Sequence, residues 1–258
     1  MDRQTFTITF GDQAENHAGM QKIGQAATEG FNLDDLNRTK VYFEQRGCQC
    51  TLFDLKTLLP AELVSSAEEA YLLVIRSGLD CLIQPSNKDH FYQEQNALPK
   101  DTQAFMYGRV VNKLARHNLC FGFHNQEPNY QEGKGRILAF DQVPLLNHVR
   151  QVLPLVIGEK AEGLVAEGNY YYDITKCGIG FHGDSERKKV IGIRVGATLP
   201  FHYQWFHQSK PIGTRCEIML NHGDIYIMSE KAVGADWKKR SILTLRHAAG
   251  APKYLKIK

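Results

Sequence analysis

The chain has 258 residues, with 31 Lys and Arg against 28 Asp and Glu, and 43% of its residues are hydrophobic. That is enough chain to bury a sizeable core, as one large domain or as a domain with a substantial extension. The composition excludes a wholly disordered, collagen-like or coiled-coil chain, and a formal net charge of +3 neither demands nor forbids a nucleic-acid partner.

In chain order, Thr5–Phe10 alternates as a strand and breaks at Gly11-Asp12. Asp12 to Ala27 reads as a helix, and a second runs through Leu36–Gln45 until Gly47 stops it. A short strand at Cys50–Phe53, a helix opened by Pro60 and a buried strand at Tyr71–Ile75 follow. These form an N-terminal α/β region over residues 1–100. Asp12, Glu15, Asn16 and His17 cluster behind the first strand, as a ligand-binding loop or as ordinary acids at a helix start. The region has neither the glycine spacing of a dinucleotide fold nor a phosphate-cradling Gly-x-x-x-x-Gly-Lys. Residues 84–104 are polar and read as a linker, inside which a charged surface helix can lie.

From residue 105 short alternating runs take over, among them Val165–Tyr172, Val190–Val195, Phe201–Phe206 and Ile225–Met228. One helix, Val143–Leu155, interrupts them. Many short strands with Gly- and Asn-marked turns predict a sandwich or barrel over residues 105–258. The expected class is therefore α+β.

The six cysteines are sparse, and Cys48-Gln-Cys50 has no second pair at zinc-finger spacing. The opening residues lack the apolar run of a signal peptide. No apolar stretch approaches the roughly 18 residues of a membrane span. These features point to an intracellular protein, in cytoplasm or nucleus, with reduced thiols.

The sharpest local feature is Gly178-Ile179-Gly180-Phe181-His182-Gly183-Asp184-Ser185-Glu186-Arg187. On a strand, residues two apart share a face, so His182 and Asp184 reach one cavity together. An imidazole and a carboxylate on one edge, joined by a distant third ligand, form a non-haem iron triad.

Several ordered segments resemble the AlkB-like Fe(II)/2-oxoglutarate dioxygenases, from about residue 105 to 250. They are Asn169-Tyr170-Tyr171, the His182-x-Asp184 segment, Leu220–Met228, and Arg240-Ser241-Ile242-Leu243-Thr244-Leu245-Arg246. The resemblance implies a C-terminal double-stranded β-helix, or jelly roll. It also implies Fe(II) held by His182 and Asp184, and 2-oxoglutarate bound by Asn169, Tyr171, Arg240 and Arg246. Glu186 and Arg187 would face the substrate, a nucleic-acid base to be hydroxylated or demethylated.

The family's third ligand is a histidine that residues 229–239 lack. Asp236 or Glu230 can take its place, a more distant histidine can swing in, or the scaffold has lost its iron. His247 is the distant candidate, but alternation turns it away from the cavity if Arg246 faces in. Basic residues at 187–189 and 238–239 favour a single-stranded or flipped base as partner. Phe201, Tyr203 and Trp205 read as one face of a core strand or as a stacking surface. The competing functions are an inactive AlkB-like module that binds nucleic acid or protein, and a cupin-like metal or small-molecule binder.

Overall fold

Threonine and apolar residues alternate through Thr5–Phe10, and the computed structural model, which describes residues 3–257, makes this strand β1 (Thr5–Gly11). β2 (Gln13–Glu15), β3 (Lys22–Gly24), α1 (Leu33–Glu44), β4 (Cys50–Asp54), α2 (Ala61–Val64) and β5 (Tyr71–Ile75) follow. Next come α3 (Gly78–Ile83), α4 (Lys88–Ala97), β6 (Gln103–Met106), β7 (Arg109–Asn112), β8 (His117–Gly122) and β9 (Ile137–Ala139). Then α5 (Pro144–Ile157) leads to β10 (Val165–Tyr171), β11 (Gly178–His182), β12 (Val190–Gly196) and β13 (Leu199–His207). The chain closes with β14 (Lys210–Leu220), β15 (Ile225–Met228), α6 (Glu230–Val233) and β16 (Thr244–Gly250).

Eight strands form one mixed sheet in the order β4-β5-β15-β12-β1-β10-β8-β9, and four form a second in the order β11-β16-β13-β14. Phe6, Ile8 and Phe10 point from β1 into a core shared with Leu36 of α1 and Leu146, Val149 and Leu153 of α5. Each such buried side chain contributes roughly 1.5–3 kcal/mol. The opposite face of the large sheet meets the small one through Val190, Tyr226 and Met228 against Phe201, Tyr203 and Trp205. The architecture is thus helices, large sheet and small sheet in three layers. Among the described residues no helix is long and apolar enough to cross a membrane.

The expected jelly roll over 105–258 is not present. Both sheets are open, and neither closes into a barrel. Moreover β1 lies between β10 and β12, pairing with both, so the C-terminal segment does not complete its own sheet. The α+β class stands, but the AlkB-type double-stranded β-helix does not. With that scaffold go the Fe(II)/2-oxoglutarate dioxygenase assignment, the nucleobase hydroxylation it implied and the inactive AlkB-like alternative.

One local expectation changes, and one open alternative is decided. Asp12–Ala27 is the β2–β3 hairpin and its flanks, because Gly19 and Gly24 sit at φ +88° and +83°, outside the helical region. The polar stretch 84–104 contains α4, whose N-terminus Asn87 caps by accepting from the His90 N–H at 3.0 Å. A capping asparagine had the appearance of a turn residue.

Candidate metal centre and its cleft

The alternation that sends Phe6, Ile8 and Phe10 to the helices sends Thr7 and Thr9 to the other face, into a cleft of about 650 Å³ between the sheets. Strand register then lays out the floor of that cleft. Asn169 of β10, Thr7 of β1 and Arg194 of β12 lie side by side in one row. Glu167, Thr9 and Gly192 form the next row, with Tyr226 of β15 opposite Gly192. Gly192 is required there: a Cβ on it would stand 1.9 Å from the Tyr226 ring.

The small sheet supplies the wall. His182 at the end of β11 and His247 on β16 are register partners, so their side chains leave the sheet on the same face. The rings meet edge to face at 4.5 Å between centroids. The Asp184 Oδ1 atom lies 3.4 Å from His182 Nε2 and 3.5 Å from His247 Nε2. One donor atom from each of the three residues lies within 4.8 Å of the other two, which is a set able to chelate a metal ion. His182 donates its Nδ1–H to the Gly180 carbonyl at 2.8 Å, which leaves the Nε2 lone pair for a metal.

Gly183, between His182 at the end of β11 and Asp184 beyond it, lets the chain turn against α6. A Cβ there would sit 1.9 Å from the Gly234 carbonyl oxygen. The Asp184 N–H donates to the Val233 carbonyl at 3.1 Å and fixes the turn.

Charge tunes the ligands. Burial alone would raise the Asp184 carboxyl, but Arg187 and the two imidazoles hold it well below the usual carboxylate range. Burial, reinforced by His182, lowers His247 below the ordinary imidazole value. Both shifts favour the ligating forms, an ionised carboxylate and a neutral imidazole.

Two buried arginines face this cleft. Arg187 is 4% exposed, and its Nη2 donates at 2.6 Å to both Glu167 and Glu186. Its Nε is 3.6 Å from Asp184. Burial opposes its charge, yet these three carboxylates raise it well above the ordinary arginine value. Arg194 is 0% exposed, and its Nε and Nη1 have no hydrogen-bond partner. Its guanidinium lies 5.7 Å from the Tyr171 ring, and burial lowers its pKa. The neighbouring Thr7 hydroxyl is also without a partner.

Of the residues named from the sequence, His182, Asp184, Asn169, Tyr171, Glu186 and Arg187 all line the cleft. Asn169 accepts from Arg116 at 2.6 Å and Asn118 at 2.8 Å, and donates to Glu167 at 2.8 Å. The other named residues lie elsewhere. Arg240 is exposed on the loop before β16. Arg246 faces the outside of the small sheet, 4.0 Å over Phe206. Asp236 accepts from Lys231 at 2.7 Å, and Glu230 from the Gly30 N–H at 2.7 Å. Both line a separate cavity behind α6.

His247 is the distant candidate that alternation turns away from the cavity only if Arg246 faces in. Since Arg246 faces outward, the same alternation points His247 in. Arg194 was missed, although a lone arginine in the apolar run Val190-Ile191-Gly192-Ile193-Arg194-Val195 is itself a signal. Phe201, Tyr203 and Trp205 form the core face, with Phe201 stacked on His247 at 5.6 Å. In the N-terminal cluster, Asp12 accepts from the Ala27, Lys188 and Lys189 N–H groups, each at 2.9 Å. Glu15 and His17 reach the cleft.

No protein-family model matches the chain. Its sequence is 53% identical over 254 residues to "Uncharacterized protein R156" of Acanthamoeba polyphaga mimivirus, an alignment that covers 98% of this chain and 98% of that protein.

Proposed function

The chain belongs to the family that includes this mimivirus protein, and from that premise we propose that it is a mononuclear divalent-metal protein whose metal binds a small dicarboxylate. His182, Asp184 and His247 hold the ion, and Fe(II) is the metal that two imidazoles and one carboxylate with open positions favour. Such an ion supplies Lewis acidity and, as iron, redox chemistry.

The observation that carries the ligand half is Arg194. A buried guanidinium without an acceptor is several kcal/mol out of balance by general estimates of ion burial. An incoming carboxylate restores that balance with two parallel hydrogen bonds. Thr7 offers a further donor beside it. A second carboxylate on the same molecule reaches toward the metal, and 2-oxoglutarate is one member of that class. Arg187 cannot serve as the anion site, because Glu167, Glu186 and Asp184 already surround it. Its part is to keep Asp184 ionised and in place. Phe201, Tyr203 and Tyr226, all buried, keep water away from the His247 side.

Anaerobic equilibrium dialysis of metal-free protein against Fe(II), Mn(II), Co(II) and Zn(II) tests the metal half. One equivalent retained by the wild type and lost by His182→Ala is expected. Less than one equivalent of every ion in the wild type would refute the reading.

A further inference from the structure

Outside the cleft, the outer face of the small sheet carries a ladder of cations over aromatic rings, with Phe206 itself buried beneath them. The Arg215 guanidinium lies 4.9 Å over Phe181, and Phe181 lies 6.0 Å from Phe206. Arg246 covers Phe206 at 4.0 Å and reaches Trp237 at 5.2 Å, with Lys238 Nζ 5.5 Å from the same indole. Lys239 and Arg240 continue the loop and are exposed, as are Arg215 and Lys238. The Gln208 N–H donates to the Arg240 carbonyl at 3.2 Å, which ties that loop to the β13–β14 turn.

Among the described residues, none of these five cations forms an ion pair. The nearby acids are directed elsewhere: Glu217 toward His202 at 3.6 Å, and Asp236 to Lys231 at 2.7 Å. Arg246 also has a buried Nε without a partner. By contrast, most cations around the helices have acidic partners, Arg38, Lys40, Lys88 and Lys160 among them. The positive charge on this face is left for something outside the molecule.

We propose that the outer face of the β11-β16-β13-β14 sheet binds single-stranded nucleic acid. Phosphates require the unpaired cations, which supply the sequence-independent part of such binding. Unpaired bases require flat surfaces, and guanidinium planes and the Trp237 ring supply them. A duplex hides its base faces and gains only the charge. An acidic protein would use the charge but not the planes. The strip ends where Trp237 and Lys238 enter the cleft lining, so a strand along it passes the cleft mouth. The proposal stands independently of the metal and dicarboxylate reading.

The test is fluorescence anisotropy with labelled 15-nucleotide strands at low salt, using DNA and RNA arms, with an abasic strand and a duplex as controls. Wild type should bind the single strand at least tenfold more tightly than the abasic strand or the duplex. Lys238→Ala/Lys239→Ala/Arg240→Ala should lose at least tenfold, and its salt slope should flatten by about 2, as expected when three phosphate contacts go. Lys40→Ala/Arg109→Ala/Lys134→Ala, equal in charge but on other surfaces, should bind as wild type. Intrinsic fluorescence gives a second readout, since Trp237 and the core Trp205 are the two tryptophans. Strand binding should quench it, and Trp237→Phe should remove the quench. Absence of wild-type binding, equal loss in both triple variants, or equal affinity for the abasic strand would overturn the proposal.

Discussion

The two buried arginines of the cleft have opposite surroundings. Arg187 stands among Glu167, Glu186 and Asp184, and its guanidinium is held charged. Arg194, on β12 in the floor of the same cleft, has Tyr171 beside it and no carboxylate bonded to it. Desolvation weighs on both; at Arg187 three carboxylates outweigh it, although Nη1 has no partner, whereas at Arg194 the tyrosines and Asp224 offset it only in part. A buried charge with internal partners serves the scaffold, whereas one without them carries an uncompensated desolvation cost. On the proposed reading, this contrast separates the wall that carries the candidate metal ligands from the floor where an anion would bind.

The sharpest way to break the contrast is to remove each arginine in turn. Arg187→Met leaves three carboxylates facing one another without a cation, and should destabilise the fold by about 3–5 kcal/mol, the usual penalty for breaking a buried pair. Urea denaturation reads that directly. If Arg187→Met unfolds at the wild-type midpoint, the wall is not held by this network. The next largest effect concerns the metal. His247→Ala should weaken Co(II) binding by about 100-fold or more, beyond what loss of an outer-shell partner does, while Asp236→Asn leaves it unchanged. The reverse pattern would put the third ligand behind α6.

Arg194→Met should behave unlike its counterpart. Replacing an uncompensated buried charge by an apolar chain of similar length is neutral or stabilising, by up to about 1–4 kcal/mol. Metal affinity should stay at the wild-type level and dicarboxylate binding should fall. A large loss of stability would show that Arg194 already has a structural partner.

The smallest effect is a pH dependence. Protons compete with metal for neutral imidazole, and burial lowers the His247 pKa below the ordinary imidazole value. Its share of the competition therefore sets in at a lower pH than for an ordinary imidazole, as pH falls through the lowered value. The slope is then at most about one log unit of affinity per pH unit for each protonated ligand. Calorimetric titration of the metal between pH 5 and 8 measures it. A fall that begins above pH 7 would mean that His247 is not held neutral by its surroundings.

Much of this site was legible in local sequence and little of it in long-range sequence. His182 and Asp184 could be named from their two-residue spacing, although β11 ends at His182 and Asp184 reaches the cleft from the turn that follows it, not from a shared strand face. Asn169 and Tyr171 were named only through the AlkB-like resemblance, and alternation along β10 places both on the cleft face. His247 required knowing which face of β16 is buried, and that is decided by β13, where Tyr203 is its register partner in the core. No local pattern in Thr244–Gly250 carries that information. The position of β1 was equally hidden. Its pairing with β10 and β12 joins residues more than 150 positions apart, such as Thr7 with Asn169 and Arg194. That one insertion brings Thr7 and Thr9 into the cleft, and it is also why residues 105–258 do not make a scaffold alone. The outward Arg246 shows the same limit: a motif match assigned it to a ligand, while the pairing of Gln204 with Arg246 places it on the opposite face from His247.

The most direct test of the central claim is calorimetric titration of a dicarboxylate series (succinate, glutarate and 2-oxoglutarate) into metal-free and Co(II)-loaded protein, wild type and Arg194→Met. One site is expected, tighter with metal than without it, and at least tenfold weaker in Arg194→Met at unchanged metal content. Equal binding in wild type and variant, or no effect of the metal, would contradict it.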